Sequence, residues 1–259
     1  MADEPKYPVH TVIKAIEVIH YLMKINGNRG ASISEINQSL GFGKSTIHRL
    51  LDTLSFYDWV EKDPDTNRYR LGWGIYKVGE VVPLQNQLLN IDQNYLLDLS
   101  NKTNAIVNLG VLTHGSTVII SKIENAGTRM NRNPGEYESV HATGLGKILI
   151  SELDASQIQE ILGNSTEMTA FTENTITNLK DLLIELQITR QRGYAIDNEE
   201  FCKGLICFAM PLRDYTQKIV AAISVSTQTD TMTEERKQFI LENLRATSSK
   251  ISRSLGYTK

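Results

Sequence analysis

Gly41 and Gly43, one residue apart, separate two runs of helical apolar spacing, and so short a joint between two helices admits few arrangements. Before the joint, Ser32 or Ser34 can cap a helix by accepting a hydrogen bond from a free backbone N–H, with Ile36 and Leu40 on its apolar side and Gly41 as its stop. After it, Ile47, Leu50, Leu51 and Leu54 recur at i, i+3, i+4 and i+7, which predicts a helix from Gly43 or Lys44 to about Tyr57. The pair is a helix-turn-helix by spacing. Upstream, Val12, Ala15, Ile16, Ile19 and Met23 predict a further helix from Thr11 to Asn26 with that stripe buried, ended by Gly27-Asn28-Arg29-Gly30. Downstream, residues 59–62 and 69–71 read as strands joined by Asp63-Pro64-Asp65-Thr66-Asn67-Arg68, turn chemistry throughout.

With Ile47 as the buried centre of the third helix, Ser45, His48, Arg49 and Asp52 fall on its opposite face, and Lys44 projects from the first turn. Such a face can enter a major groove: Lys and Arg bond guanine or phosphate oxygens, while His and Ser reach base edges or phosphates. The hairpin tip adds Asn67, Arg68 and Arg70 where a wing would meet an adjacent phosphate or minor groove. Asp52 and Asp58 oppose this by repelling phosphate. A solvated helix face is the plain alternative for any lone helix; the preceding helix and the following hairpin favour DNA.

Bulk charge does not supply that affinity. The formal net charge is -3, and residues 1–75 carry nine Lys and Arg against nine Asp and Glu, so any nucleic-acid contact must be a local patch. No apolar run approaches the roughly 20 residues that span a bilayer. The acidic, proline-bearing start, Met1-Ala-Asp-Glu-Pro-Lys-Tyr, lacks the pattern of a secretory signal, so a cytoplasmic location is expected. Two cysteines, Cys202 and Cys207, build neither a disulfide framework nor a four-cysteine zinc site, and their apolar surroundings predict buried thiols.

Beyond Gly74 a helical stretch to Val82 meets Pro83, and a helix from about Leu84 to Asn101 follows. The pattern then turns to a hairpin (105–113 and 117–123), helices over 144–152 and 177–192, strands over 205–212 and 219–227, and a closing helix over 233–254. The fold class is α+β: a winged helix-turn-helix domain over 1–73, a linker helix over 74–84, and over 85–259 an α/β domain with a mainly antiparallel sheet.

In the second domain Gly144-Leu145-Gly146 opens an apolar helix whose free N–H groups could hold a carboxylate, or could simply be capped. Ser224 and Ser226 share one face of a strand, toward a pocket or toward water. Cys207 sits among small groups, and Asp197 opens a polar run, Asn198-Glu199-Glu200, of the kind usually found in a solvated loop. For catalysis, Cys207, Ser224 and Ser226 have no partner base by motif. The five histidines show no metal-ligand spacing, and Gly41-Phe-Gly-Lys-Ser lacks the upstream glycine and strand of a phosphate loop. No enzyme activity, cofactor or metal is therefore expected; an adaptor or small-molecule enzyme with a protein-docking winged domain is the competing reading.

Residues Ile33-Ser-Glu-Ile, Gly43-Lys-Ser-Thr-Ile-His-Arg-Leu-Leu-Asp-Thr-Leu and Tyr69-Arg-Leu-Gly resemble the DNA-binding half of the IclR family of bacterial transcription regulators. His141-Ala-Thr-Gly-Leu-Gly-Lys, Arg192-Gly-Tyr-Ala-Ile-Asp-Asn-Glu-Glu, Gly204-Leu-Ile-Cys-Phe-Ala-Met-Pro-Leu-Arg-Asp and Val220-Ala-Ala-Ile-Ser-Val-Ser resemble, in order, that family's effector-binding domain. The resemblance implies a GAF-like second domain and a DNA-reading set of Lys44, Ser45, Thr46, His48 and Arg49 with Asn67 and Arg68. It also implies a pocket for a small organic acid lined by Gly144, Leu145, Asp197, Cys207, Ser224 and Ser226. The implied partners are double-stranded, pseudo-palindromic operator DNA, the acid, and a second copy of the chain in a homodimer or homotetramer. The implied action is repression of a catabolic operon. Arg129-Met-Asn-Arg-Asn-Pro-Gly is similar to the branch that senses sugar acids from pectin breakdown.

Overall fold

The structure is a computed structural model that describes residues 6–25, 29–85, 91–124, 134–163 and 168–258. Most of the Arg129–Gly135 segment lies outside the described residues. The chain forms two compact units, Asp3–Asn86 and Gln87–Lys259.

The first unit holds α1 (His10–Met23), α2 (Ile33–Leu40), α3 (Lys44–Phe56), the strands β1 (Val60–Lys62) and β2 (Tyr69–Leu71), and α4 (Trp73–Gln85). Ser32 caps α2: its hydroxyl accepts the Glu35 N–H while the Glu35 carboxylate accepts the Ser32 N–H. Gly41 stops that helix at φ 72°, a left-handed conformation that glycine adopts without steric cost. The core joins Val18 and Leu22 of α1, Ile36 of α2, Ile47, Leu50 and Leu51 of α3, Val60 and Tyr69.

Two expectations shift here. In α1 the buried residues are Val18 and Leu22, whereas Val12, Ile16 and Met23 of the expected stripe are exposed. Apolar residues lie on both sides of this helix, and only one side is covered by α2 and α3, so periodicity alone does not identify the packed side. α4 runs past Pro83 to Gln85 rather than stopping at the proline. A proline near a helix end removes only one backbone donor, so the helix absorbs it there.

The second unit contains α5 (Gln93–Thr103), β3 (Ile106–Thr113), β4 (Ser116–Ile123), β5 (Tyr137–Glu138), α6 (Gly144–Ile150), α7 (Ala155–Leu162), α8 (Leu179–Arg192), β6 (Ala195–Asn198), β7 (Leu205–Arg213), β8 (Ile219–Gln228) and α9 (Glu234–Ser254). The sheet runs β5-β4-β3-β8-β7-β6, and every neighbouring pair is antiparallel. Side chains alternate between its faces. Val107, Leu109, Phe208, Met210, Ile223 and Val225 pack against Leu96 and Leu99 of α5 and Ile240, Leu244 and Ile251 of α9. The opposite face carries small residues, Ala195, Ala209 and Ala222, under Leu145, Ile148 and Leu149 of α6. Gly110 completes that low floor: a Cβ there would lie 3.0 Å from Leu145 Cδ1. Strand β6, only four residues long, gave no clear signal in the sequence, whereas α7 carries one that was not used, the Asp154–Gln157 capping box at its start. Cys207 is buried as expected, but Cys202 is exposed, because it lies in the loop between β6 and β7 rather than in a strand.

Candidate functional site

Burial of Ile47, Leu50 and Leu51 turns the other side of α3 outward, so Lys44, Ser45, His48 and Arg49 are exposed and Thr46 is half-buried. Asn37 Nδ2 donates to the Phe42 carbonyl at 2.6 Å and holds the joint that aims this helix. In the hairpin, the Asp63 carboxylate accepts the N–H groups of Asp65 and Thr66 and the Thr66 hydroxyl, which leaves Asn67 exposed at the tip with φ 55°. Its neighbour Arg68 turns inward. The Arg68 guanidinium donates to the Arg29 and Gly30 carbonyls at 2.9 and 3.1 Å and to Glu35 at 2.5 Å, so it ties the wing to the start of α2. Arg68 and the Ser32 N–H hold the Glu35 carboxyl down at about 2. Arg70 pairs with Glu61 across the hairpin at 2.9 Å. The exposed helix face thus keeps its cations free of intramolecular ion pairs among the described residues, whereas the wing commits its arginines to the fold.

In the second unit, β-pairing aligns the remaining candidates. Cys207 lies between Asp197 and Ser226, and Ser224 lies between Ala209 and Asn108, which in turn faces Lys122. Since these pairs alternate with the α5–α9 face, they lie on the face covered by α6. Asp197, Cys207, Ser224 and Ser226 are all buried, at 3, 7, 2 and 1% exposure, which excludes the solvated alternatives for the serines and for Asp197. Helix α6 comes down directly on them: a Cβ at Gly144 would sit 3.3 Å from the Ala209 Cβ. At Gly146 a Cβ would collide with the Val140 backbone, so the close approach requires glycine there.

Two candidate groups are partly committed to the fold. Thr143 caps α6 by accepting the Gly146 N–H at 3.1 Å, which removes one of that helix's free donors. Asp197 Oδ1 accepts the N–H groups of Glu200 and Phe201 at 2.8 and 3.2 Å and so shapes the loop after β6.

The structure also places residues near the site that sequence reasoning did not single out. Lys147 of α6 is wholly buried; its ammonium donates to the Ile196 carbonyl at 2.9 Å and to Glu200 at 2.5 Å. Burial raises the Glu200 carboxyl above its usual range, against the pull of Lys147. His141 stacks on Phe171, which stacks on Phe201, and burial lowers the imidazole's affinity for a proton. Asn108 is 6% exposed on the face of β3 that α6 covers, beside Ser224. The signal for it was available: Asn108 is the polar residue in an otherwise apolar run from Ile106 to Val111.

A winged helix-turn-helix with a free cationic helix face, joined in one chain to a sheet domain with a buried polar row, defines a ligand-sensing DNA-binding regulator. Comparison with known proteins assigns the family. Residues 11–64 match the model of the IclR helix-turn-helix domain, and residues 84–253 match that of the bacterial transcriptional regulator IclR C-terminal. The chain is 31% identical over 257 residues to the HTH-type transcriptional regulator KdgR of Escherichia coli (strain K12), covering 99% of this chain and 97% of that one. It is 30% identical over 244 residues to the HTH-type transcriptional repressor AllR of the same strain, with 94% and 89% covered. The crystal structure of the Thermotoga maritima IclR superposes with a TM-score of 0.79 at 29% identity, covering 96% of this chain and 99% of that one. The chain belongs to the IclR family and is a DNA-binding transcription regulator with a C-terminal effector-binding domain.

Proposed function

We propose that this regulator represses a catabolic operon by holding a pseudo-palindromic operator as a homodimer in the cytoplasm, and releases it when a small organic acid or sugar acid enters the second domain. The observation that carries this reading is that one chain holds both a free cationic face on α3 and, within its other unit, a buried polar row on the sheet. Lys44, Ser45, Thr46, His48 and Arg49 read the major groove, and Asn67 at the wing tip meets the flanking backbone. Arg68 acts through the wing's position, given its bonds to three inward partners, Arg29, Gly30 and Glu35.

One winged unit makes too few contacts for tight specific binding, which is why two copies are required. Support for a second copy comes from exposed apolar surface on α1 and α4. Trp73 is 75% exposed and packs edge-on against the 58% exposed Tyr76 at 5.8 Å, with Val78 and Val81 also exposed on α4 and Val12, Ile16 and Met23 on α1. Ser224, Ser226, Asn108 and Cys207 bind the acid, with Gly144 and Leu145 closing over it and Asp197 shaping the rim. Release then follows from linkage: an acid that prefers one arrangement of the paired wings changes operator affinity, and operator changes acid affinity by the same factor.

The test is fluorescence anisotropy of the full chain on labelled DNA from upstream of its own gene, at two salt concentrations and with competitor DNA. Saturable, sequence-selective binding that weakens steeply with salt, and release by an acid, is the expected result. A folded protein that binds no such DNA with or without acids is an adaptor instead.

A further inference from the structure

Helix α9 packs on the side of the sheet away from α6, and its inner residues Ile240, Leu244 and Ile251 are spent in the core. Its outer side carries a feature the core does not need. Between α9 and Tyr194, the residue that leads into β6, lies a cavity of about 580 Å³, within the range of small-molecule sites. Leu241 and the Tyr194 ring give it apolar surface, and Arg245, Lys250 and Arg253 give it three cations against a single carboxylate, Glu242. In a chain whose formal net charge is -3, that is a local excess of positive charge.

Glu242, Arg245, Ser249 and Arg253 recur at three- and four-residue spacing, so they form one stripe along the helix facing the cavity. The ordinary reasons for a cation on a helix do not account for them. All three cations are exposed, and none is held by an ion pair among the described residues, whereas Lys237 near the amino end of the same helix pairs with Glu234. The helix dipole favours cations in the last turn only, which covers Arg253 but not Arg245, nine residues before the end at Ser254. The opposite wall is held in place. The Arg192 guanidinium lies over the Tyr194 ring at 5.1 Å, donates to the Tyr194 carbonyl at 2.5 Å and pairs with Glu185 at 2.7 Å.

The spacing of the cations sets the form of a ligand. Arg245 and Arg253 stand about 12 Å apart along the axis at the helical rise per residue, with Lys250 between them. A guanidinium takes one phosphate or carboxylate through two parallel hydrogen bonds. Two of them so spaced suit a molecule with anionic groups at both ends and a short organic body over Leu241 and Tyr194.

We propose that this groove is a second small-molecule site, taking a compact organic polyanion such as a sugar bisphosphate or a tricarboxylate, with Arg245 and Arg253 as its anchors. It lies on the α9 side of the sheet, so it is separate from the polar row under α6 and does not rest on the acid-effector reading.

Calorimetric titration of the full chain with fructose 1,6-bisphosphate and with citrate, beside D-fructose as the uncharged control, tests it. Saturable binding of at least one polyanion, and none of D-fructose, is expected. Arg245→Gln combined with Arg253→Gln should weaken that binding about tenfold or more. Its melting temperature should match the wild type, because both side chains are exposed. Arg49→Ala, on the α3 face, should leave polyanion affinity unchanged. Absence of saturable binding by either polyanion overturns the site; if the double variant then also sediments as a smaller assembly than the wild type, the stripe is a contact between copies instead. Binding lost in Arg49→Ala but kept in the double variant assigns the anion to the α3 face and overturns the proposal equally.

Discussion

The two units place their polar chemistry in opposite positions relative to their cores. In the winged unit, Lys44, His48 and Arg49 stand outside a core built from Val18, Leu22, Ile36, Ile47, Leu50 and Leu51. In the sheet unit, Asn108, Ser224, Ser226, Asp197, Lys147 and Glu200 are within the interior. Their ion pairs show the same contrast. Arg68–Glu35 and Lys147–Glu200 are equally short at 2.5 Å, yet the first is 24% and 34% exposed and the second 0% and 10%. Water shares the first pair's charge, so it trims the fold; the second is part of the fold's integrity. Function and stability should therefore separate cleanly in the wing and remain entangled in the sheet domain.

The largest effect should come from cutting the buried pair on one side only. Lys147→Met leaves the Glu200 carboxyl buried without its cation, forced to stay desolvated or to take up a proton, and is expected to cost about 3–5 kcal/mol, read as a large fall in melting temperature. The double variant Lys147→Met with Glu200→Leu should recover most of that loss. If the single variant melts like the wild type, the contrast between the two pairs is broken. Next, Arg49→Ala should weaken operator binding by about 1–3 kcal/mol with the melting temperature unmoved, as anisotropy and calorimetry on the same sample would show. A parallel drop in stability would mean that α3 is not the free surface described.

Ser224→Ala with Ser226→Ala should abolish acid-induced release while operator affinity persists, as anisotropy with and without the acid would show. An intact response removes both hydroxyls from the pocket. The smallest effect concerns Glu35. Its carboxyl is lowered from 4.5 to about 2, so its bond to Arg68 stabilises the wing fully above pH 4.5 and is lost as pH falls toward 2. In Glu35→Gln the acid side of the melting curve should flatten across that window. Because the pair is partly exposed, added salt should reduce the difference between variant and wild type.

The helix-turn-helix was legible because its signals are local. Caps, glycines and apolar spacing within one helix or turn specify α2, α3 and the hairpin from neighbours at most a few residues apart, as Ser32, Glu35 and Gly41 show. The side chains that would meet DNA are the remainder once the buried stripe of α3 is subtracted. Local pattern misled where an element is apolar on two sides, as in α1, where Val12, Ile16 and Met23 face outward.

By itself, then, the sequence determined the order of the longer elements, the packed side of α3, the antiparallel character of the second domain and the placing of Ser224 and Ser226 on one strand face. Tertiary structure decided what those faces look onto. Asn108 and Lys122 join the row only because β3 lies between β8 and β4, and Arg68 faces Glu35 only because the wing folds back 33 residues to the start of α2. Glu200 reaches Lys147 from 53 residues away. Side-chain alternation is a property of one strand and can be read from its residues, whereas strand order, register and burial are set by packing among segments remote in sequence, where no short-range pattern records the outcome.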